Sequence, residues 1–152
     1  MTREDTPCEQ VMHASCVAVG ARAVLIRGAS GRGKSGLALQ LVAMGGVLVS
    51  DDRTRLWRAE EALMADAPDT IRGRIEARGV GILRVPPFGP VPVALLVDMD
   101  RTASERLPPP AHETVMGVAL PCIENAPHAH FPAAILLYLK HQGLDDFGTS
   151  QP

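Results

Sequence analysis

Residues 23–42 read AVLIRGASGRGKSGLALQLV. Gly28, Gly33, Lys34 and Ser35 match the phosphate-loop pattern of a glycine, four residues and then Gly-Lys-Ser/Thr. An apolar run of strand length precedes the loop, and apolar residues recur after it at helical spacing. The stretch therefore predicts a strand, a phosphate-binding loop and a helix, in that order. The alternative is an ordinary glycine-rich turn that opens a helix.

The residue types in this loop suit phosphate chemistry. Glycines let backbone N–H groups approach phosphate oxygens, and the helix N-terminus adds partial positive charge. In such loops the lysine, here Lys34, reaches the β- and γ-phosphates, and the hydroxyl, here Ser35, binds magnesium. We therefore predict ATP and Mg²⁺ as ligands. The predicted nucleotide-binding residues are Gly28, Ala29, Ser30, Gly31, Arg32, Gly33, Lys34, Ser35 and Gly36.

Length and composition limit the class of protein. A chain of 152 residues predicts one domain, and we expect disorder over residues 1–10 and 144–152. Aromatic residues make up only 3% of the chain, so an aliphatic core is expected. A formal charge of -2 favours neither nucleic acid nor an anionic membrane as a partner. The three cysteines lack paired metal spacing, and we expect reduced thiols in a cytoplasmic protein with no membrane span.

Apolar runs and turn signals place the other elements. Residues 11–20 and 22–27 predict a hairpin that leads into the phosphate loop, with His13 in its first strand. A lone strand histidine is more often structural than catalytic. Further predictions are a loop helix over 33–44, strands at 47–50, 54–58, 62–64, 93–97 and 115–122, a loop at 100–110 and a helix over 132–142.

Two adjacent carboxylates, Asp51 and Asp52, follow the predicted strand at 47–50. Such a pair is costly at the end of an apolar strand unless it shares a cation or a proton. Successive strand residues point to opposite faces, so one aspartate can serve magnesium while the other accepts a proton from an attacking hydroxyl. The alternative is a solvated turn. Asp98 ends a second apolar strand and competes with Asp51 for the Walker-B position, and spacing leaves that choice open.

Glycines and arginines interleave with apolar residues over 71–85, where Glu76 is the one carboxylate. The segment allows two interpretations. One is an edge strand whose charged side chains face solvent. The other is a surface that faces phosphate or a protein partner, in which Glu76 supplies the remaining ligand of the metal. His128 and His130 have no third ligand nearby and are interpreted as surface residues.

Together these stretches resemble the catalytic domain of the HPr kinase/phosphorylase family, which phosphorylates a serine of the phosphocarrier protein HPr. The resemblance is carried by Met12-His13, the phosphate loop, LVSDDR at 48–53 and IEARGVGI at 75–82. It implies an α/β fold: a single P-loop domain with a mixed β-sheet, related to phosphoenolpyruvate carboxykinases. It also implies assembly as a homo-oligomer, a hexamer, in a short form that carries only the catalytic domain.

The resemblance also implies roles for individual residues. Asp52 would be the acid/base residue, and Asp51 would lie beside the metal with Ser35 and Glu76 as magnesium ligands. His13 would lie near the phosphates, and Arg106, in Glu105-Arg106-Leu107, would be catalytic.

One segment departs from the family pattern. Where longer members carry an Arg-Pro-Gly-Arg-Asn-like segment linked to dephosphorylation, residues 120–127 read LPCIENAP. Arginine is well suited to holding a phosphate, so its loss predicts weak or absent phosphorylase activity.

The predicted function is an ATP- and magnesium-dependent protein-serine kinase acting on HPr. Two alternatives remain. One is a nucleotide-binding regulatory module without transfer activity. The other is a small-molecule kinase whose lid arginines would come from Arg72, Arg74 and Arg78.

Overall fold

The structure is a computed structural model that describes residues 8–141 and 143. Within that part of the chain, helices α1 (Lys34–Ala43) and α2 (Phe131–His141) accompany eleven strands. The strands are β1 (Glu9–Met12), β2 (Ala14–Val19), β3 (Arg22–Arg27), β4 (Val47–Ser50), β5 (Thr54–Ala59), β6 (Ala62–Asp66), β7 (Arg74–Ala77), β8 (Gly81–Arg84), β9 (Val91–Thr102), β10 (Ala111–Val115) and β11 (Val118–Asn125).

Most strands form one mixed sheet in the order β1-β5-β6-β9-β3-β2-β4. The long strand β9 lies at its centre. Strand β3 pairs in parallel with one edge of β9, whereas β6 pairs with the first part of the other edge and β11 with the later part. Strands β7 and β8 form a separate hairpin. The parallel register sets Arg27, the last residue of β3, opposite Asp98, so β9 continues past the point where the phosphate loop begins.

The core lies on both faces of this sheet. Alternation along β3 sends Leu25 into one hydrophobic cluster and Val24 and Ile26 into the other, which α1 and α2 cover. Among the buried residues of both clusters Phe131 is the one aromatic side chain, and the expected aliphatic core is confirmed. Neither helix of the described part has the length and hydrophobicity to cross a bilayer.

The predicted α/β class is confirmed, as are the strand, loop and helix around residues 23–42, the hairpins β2–β3 and β5–β6, and helix α2. The N-terminal prediction is wrong in part. Glu9 and Gln10, predicted to be disordered, form the first half of β1 and pair with Trp57 and Leu56 of β5. Residues 1–7 and 144–152 lie outside the described residues.

Three other local predictions are corrected. His13 is not within a strand but in the bend between β1 and β2. The predicted loop at 100–110 begins later, because β9 extends to Thr102. The single strand predicted at 115–122 is the second half of a hairpin, β10–β11, whose turn uses positive φ angles of 50° at Met116 and 81° at Gly117. A turn of two residues with positive φ is typical of tight hairpins.

Candidate active site

The phosphate loop connects β3 to α1 and depends on its glycines. Gly28, Gly31 and Gly33 have φ angles of 153°, 86° and 95°, which side-chain-bearing residues rarely adopt. Space matters as well at Gly28, because a Cβ there would lie 3.0 Å from the Cβ of Met99 on β9. Strand β9 therefore packs directly against the start of the loop and limits the position to glycine.

Lys34, the first residue of α1, is buried beneath the loop. Its Nζ donates hydrogen bonds to the carbonyl oxygens of Gly28 (2.7 Å) and Ala29 (3.2 Å). These bonds hold the ammonium group beneath the loop.

Asp100 contacts the phosphate loop at Ala29 and at Arg32. Its Oδ1 accepts a hydrogen bond from the backbone N of Ala29 at 2.9 Å and lies 3.6 Å from Nε of Arg32. The sequence did not indicate Asp100, because the apolar run that drew attention to this strand ends at Asp98. The contact depends on the parallel pairing of β3 and β9, which joins residues 71 positions apart.

The carboxylate of Asp51 is buried and lies at the centre of the site. Its Oδ1 accepts hydrogen bonds from Oγ of Ser35 (2.6 Å) and Oγ of Ser15 (3.0 Å), and its Oδ2 accepts one from the backbone N of Glu76 (3.0 Å). One side chain therefore joins α1, β2, β7 and the end of β4. Hydroxyl and carboxylate oxygens are the hard ligands that Mg²⁺ prefers, so Ser35 and Asp51 fit a magnesium site.

Contacts decide between the two competing strand-end aspartates. Asp51 touches the loop serine, whereas Oδ2 of Asp98 lies 3.2 Å from Nη2 of Arg27 and its Oδ1 accepts the backbone N–H of Asp100 at 2.9 Å. Nη2 of Arg27 also donates to Glu113 at 2.8 Å. Asp98 thus belongs to an ion-pair cluster with Arg27, and Asp51 is the one of the two that contacts the loop serine, so the contacts favour Asp51 for the Walker-B position.

Glu76 reaches the site through its main chain. Burial alternates along β7, so Ile75 and Ala77 point inward and the side chain of Glu76 is exposed. Among the described residues no three His, Cys, Asp or Glu side chains are grouped as a metal cluster. The role of Glu76 as a magnesium ligand stays a prediction.

Asp52 and His13 meet at a cavity of about 420 Å³ beside the loop, which also includes Lys34 and Ser30. Asp52 has a φ of 68°, and the backbone N of Arg53 donates to the carbonyl oxygen of Asp51 at 2.8 Å, which closes a three-residue turn. Such turns are strained for a residue other than glycine. The turn separates the two carboxylates, so Asp51 faces the interior and Asp52 the cavity.

Ser15 was not indicated by the sequence and supports both aspartates. It is fully buried, its Oγ donates to Asp51, and it accepts a hydrogen bond from the backbone N of Asp52 at 3.1 Å. The available signal was a hydroxyl inside the otherwise apolar strand ASCVAV. Such a group needs a buried partner, since unsatisfied polar groups are costly in a core.

The arginines of the segment 71–85 do not act alike. Nη1 of Arg72 contacts Oδ1 of Asp66 at 2.6 Å, and Asp69 is 3.1 Å away, so these carboxylates raise the pKa of the Arg72 guanidinium. Two ion pairs therefore hold Arg72 against the segment that leads into the β7–β8 hairpin. Arg74 and Arg78 are exposed.

Arg106 does not line the cavity that contains His13, Lys34 and Asp52. It is exposed in the segment 103–110 between β9 and β10. Its catalytic role stays a prediction.

The cysteines of the described residues are free and lie outside the cavity at Asp52. Burial raises the pKa of the Cys16 thiol, and also that of Cys122. Both are therefore protonated near neutral pH and are poor nucleophiles.

Comparisons with known proteins show one family repeatedly. The HPr Serine kinase C-terminal domain family model matches residues 6–94. The HPr kinase/phosphorylase of Caldicellulosiruptor bescii is 46% identical over 74 residues, covering 48% of this chain and 24% of its own length. That of Alkaliphilus metalliredigens is 39% identical over 100 residues, covering 64% and 32%. The chain thus spans about a quarter to a third of these curated relatives.

A solved structure extends the similarity over most of the fold. The HPr(Ser) kinase/phosphatase from Coxiella burnetii superposes with a TM-score of 0.72 and 26% sequence identity. The match covers 87% of this chain and 95% of that one. The names of these relatives are those of enzymes. This chain shares its mixed α/β architecture with the Coxiella burnetii structure.

Replacing Ser15 by alanine tests the support under the two aspartates. We expect Ser15→Ala to lower the free energy of unfolding by about 1–3 kcal/mol, because Asp51 loses a donor and the backbone N–H of Asp52 loses its acceptor. Chemical denaturation measures this change. Ser104→Ala, at an exposed position, is the matched control and should stay within about 0.5 kcal/mol of the parent protein. Equal effects of the two substitutions would contradict the role of Ser15.

Proposed function

The chain belongs to the HPr serine kinase C-terminal domain family, and from this membership we propose that it transfers the γ-phosphoryl group of ATP to a serine of HPr. The observation that carries the proposal is the contact of 2.6 Å between Ser35 and Asp51, with Asp52 directed into the adjoining cavity. A phosphate loop, a metal-side carboxylate and a second carboxylate free to face an acceptor are the parts that this reaction needs.

The phosphate-binding side uses the backbone of residues 28–33 and the first turn of α1. Backbone N–H groups there would hold phosphate oxygens, and the N-terminus of α1 adds its partial positive charge. Lys34, which contacts the carbonyl oxygens of Gly28 and Ala29, would offset the charge that develops on the transferred phosphoryl group.

The metal side uses Ser35 and Asp51, with Glu76 as the further ligand that we propose. When bound there, Mg²⁺ would neutralise negative charge on the phosphates and fix their orientation. The hydrogen bonds from Ser15 and from the backbone N of Glu76 hold the Asp51 carboxylate in place for that purpose. Positioned ligands of this kind lose little freedom when a metal binds.

The acceptor side uses Asp52 and His13, which line one cavity. Asp52 would accept the proton of the attacking serine hydroxyl as its oxygen bonds to phosphorus, and would return a proton in the reverse direction. His13 would contact the terminal phosphate. Arg106 is proposed as a further catalytic residue on the family resemblance alone.

The remaining properties of the chain are proposals from the same membership. We propose a cytoplasmic kinase that is assembled as a hexamer, with HPr as its protein substrate, and in which the described residues form a P-loop domain. The ion pair between Arg72 and Asp66 weighs against a small-molecule kinase. It occupies one of the three arginines that would contact the substrate from a lid. The presence of Asp52 among the residues that line the cavity with Lys34 weighs against a module without transfer activity.

Asp52→Asn tests the assignment of the base. We expect the rate of HPr phosphorylation to fall about 10²–10⁴-fold, because an amide cannot accept the hydroxyl proton. Nucleotide affinity should be kept, since Asp52 lies on the acceptor side. Labelled phosphate on HPr measures the rate. Glu61→Gln, at a side chain that is 97% exposed, is the control and should leave the rate unchanged. A wild-type rate for Asp52→Asn would refute the assignment.

Lys34→Ala tests the phosphate loop separately. The substitution should weaken ATP binding and lower turnover together, because Lys34 is proposed to contact phosphate in both the ground state and the transition state. Calorimetric titration and the label assay measure the two effects. The control is Lys140→Ala, which replaces the other lysine of the chain, on the exposed side of α2. Unchanged ATP affinity in Lys34→Ala would be evidence against this loop as the nucleotide site.

The reverse reaction is expected to be weak. The segment 120–127, LPCIENAP, forms the end of β11 and the loop after it and holds no arginine for a phosphoserine. Release of pyrophosphate from phospho-HPr and inorganic phosphate should therefore run well below the forward rate. The same phospho-HPr, dephosphorylated by a general phosphatase, shows that the substrate is competent. Comparable forward and reverse rates would contradict the expectation.

A further inference from the structure

The peptide group between Gly28 and Ala29 is held at both ends. Its carbonyl oxygen, on Gly28, accepts a hydrogen bond from Nζ of Lys34 at 2.7 Å. Its N–H, on Ala29, donates to Oδ1 of Asp100 at 2.9 Å. Because a peptide group is planar, its oxygen and its N–H turn together. A contact that fixes the N–H therefore also fixes the oxygen to which Lys34 is bonded.

This peptide group needs such a contact because it follows a glycine. Strand β9 leaves little space for a side chain at position 28, and the φ of 153° at Gly28 is one that other residues rarely adopt. The backbone of glycine rotates with fewer steric restrictions than that of any other residue. The residue type that lets the loop pass β9 thus leaves the next peptide group free to turn, and the bond to Asp100 opposes that rotation.

The backbone of Asp100 is itself fixed. Its N–H donates to Oδ1 of Asp98 at 2.9 Å, and Oδ2 of Asp98 lies 3.2 Å from Nη2 of Arg27. Asp98 is buried, and a buried carboxylate without its partner is strongly destabilising, so these contacts are costly to break. Arg27 and Ala29 flank Gly28 in the sequence, so β9 holds the chain on both sides of this glycine.

The carboxylate of Asp100 is a strong acceptor for this purpose. A hydrogen bond from a backbone N–H to an ionised carboxylate is about twice as strong as one between neutral groups. It also polarises the peptide group, which makes the carbonyl oxygen at the other end a better acceptor. Nε of Arg32 lies 3.6 Å from the same oxygen, but its side chain is 60% exposed, so solvent weakens that ion pair. The bond to Ala29 is therefore the principal contact.

We propose that Asp100 is a positioning residue for Lys34 and acts through the peptide group between Gly28 and Ala29. While Asp100 holds this peptide group, the carbonyl oxygen of Gly28 keeps the Lys34 ammonium group in one position beneath the loop. Asp100 does not line the cavity at Asp52, so it acts on the lysine and not on the acceptor. The consequence for turnover rests on the proposed function, in which Lys34 contacts the transferred phosphoryl group.

The composition of the chain permits a direct test. Lys34 and Lys140 are its lysines, so isotope labelling of the lysine side chains lets NMR follow both ammonium groups in the full chain without any ligand. In Asp100→Ala the exchange of the Lys34 ammonium protons with water should become about tenfold faster, the scale of one lost hydrogen bond. Asp100→Asn keeps an acceptor oxygen for Ala29 and should retain most of the protection. The signals of Lys140, exposed on α2, should not change in either variant.

The rate of HPr phosphorylation supplies a second readout. The value of kcat/KM should fall about tenfold in Asp100→Ala, because Lys34 is then displaced, and should stay close to the parent value in Asp100→Asn. Asp69→Ala is the matched control, because the Asp69 side chain is 91% exposed and does not line the cavity at Asp52. This control should leave both the exchange at Lys34 and the rate unchanged.

Three results would overturn the inference. Unchanged exchange at Lys34 in Asp100→Ala would show that Asp100 does not hold the lysine. Equal losses in the alanine and asparagine variants would show that charge acts and not the hydrogen bond. Simultaneous changes at Lys34 and Lys140 would show a general loosening of the fold.

Two features of the design keep these outcomes separate from other failures. If Asp100→Ala does not fold, Asp100→Leu takes its place, because leucine is close in size to aspartate and accepts no hydrogen bond. The exchange measurement uses no substrate. A chain with a protected Lys34 that does not phosphorylate HPr would therefore refute the proposed function and leave the positioning of Lys34 by Asp100 intact.

Discussion

The buried carboxylate of Asp51 is the interaction on which the rest of the site depends. Its two oxygens receive hydrogen bonds from Ser35, Ser15 and the backbone of Glu76, which lie on three different elements. A buried carboxylate is costly unless such donors surround it, so the loop helix, strand β2 and the β7–β8 hairpin must meet at this point. The phosphate loop is thereby positioned by the fold as a whole and not by its own glycines alone.

The turn at Asp52 converts this arrangement into a site with two sides. Because φ is positive there, neighbouring carboxylates face opposite directions, one into the protein and one into the cavity with His13. Backbone strain of this kind persists only where surrounding contacts hold it, and here the backbone N–H of Asp52 is held by Ser15. The phosphate loop borders this cavity through Gly28, Ser30 and Lys34.

The sequence predicted the elements whose residues lie close together along the chain. The strand, loop and helix around Lys34 follow from spacing. Alternation in a strand predicts opposite directions for Asp51 and Asp52, but β4 ends at Ser50 and the structure separates the two carboxylates through the turn at Asp52. Long-range pairing decided the rest: Asp100 reaches the loop only because β9 lies beside β3, and Ser15 reaches Asp51 across 36 residues. Alternation along β7 turned the Glu76 side chain outward, a result that depends on which face of the hairpin is buried and that glycine spacing does not reveal.

The most direct measurement is transfer of label from γ-labelled ATP, with magnesium, to HPr by the purified chain. HPr with its acceptor serine replaced by alanine is run beside it. The account predicts label on HPr that disappears in the alanine form, because the phosphate loop, Asp51 and Asp52 are arranged around one transfer to a hydroxyl. Absence of label on HPr from a chain that binds ATP would contradict it, and would favour a nucleotide-binding module or another acceptor.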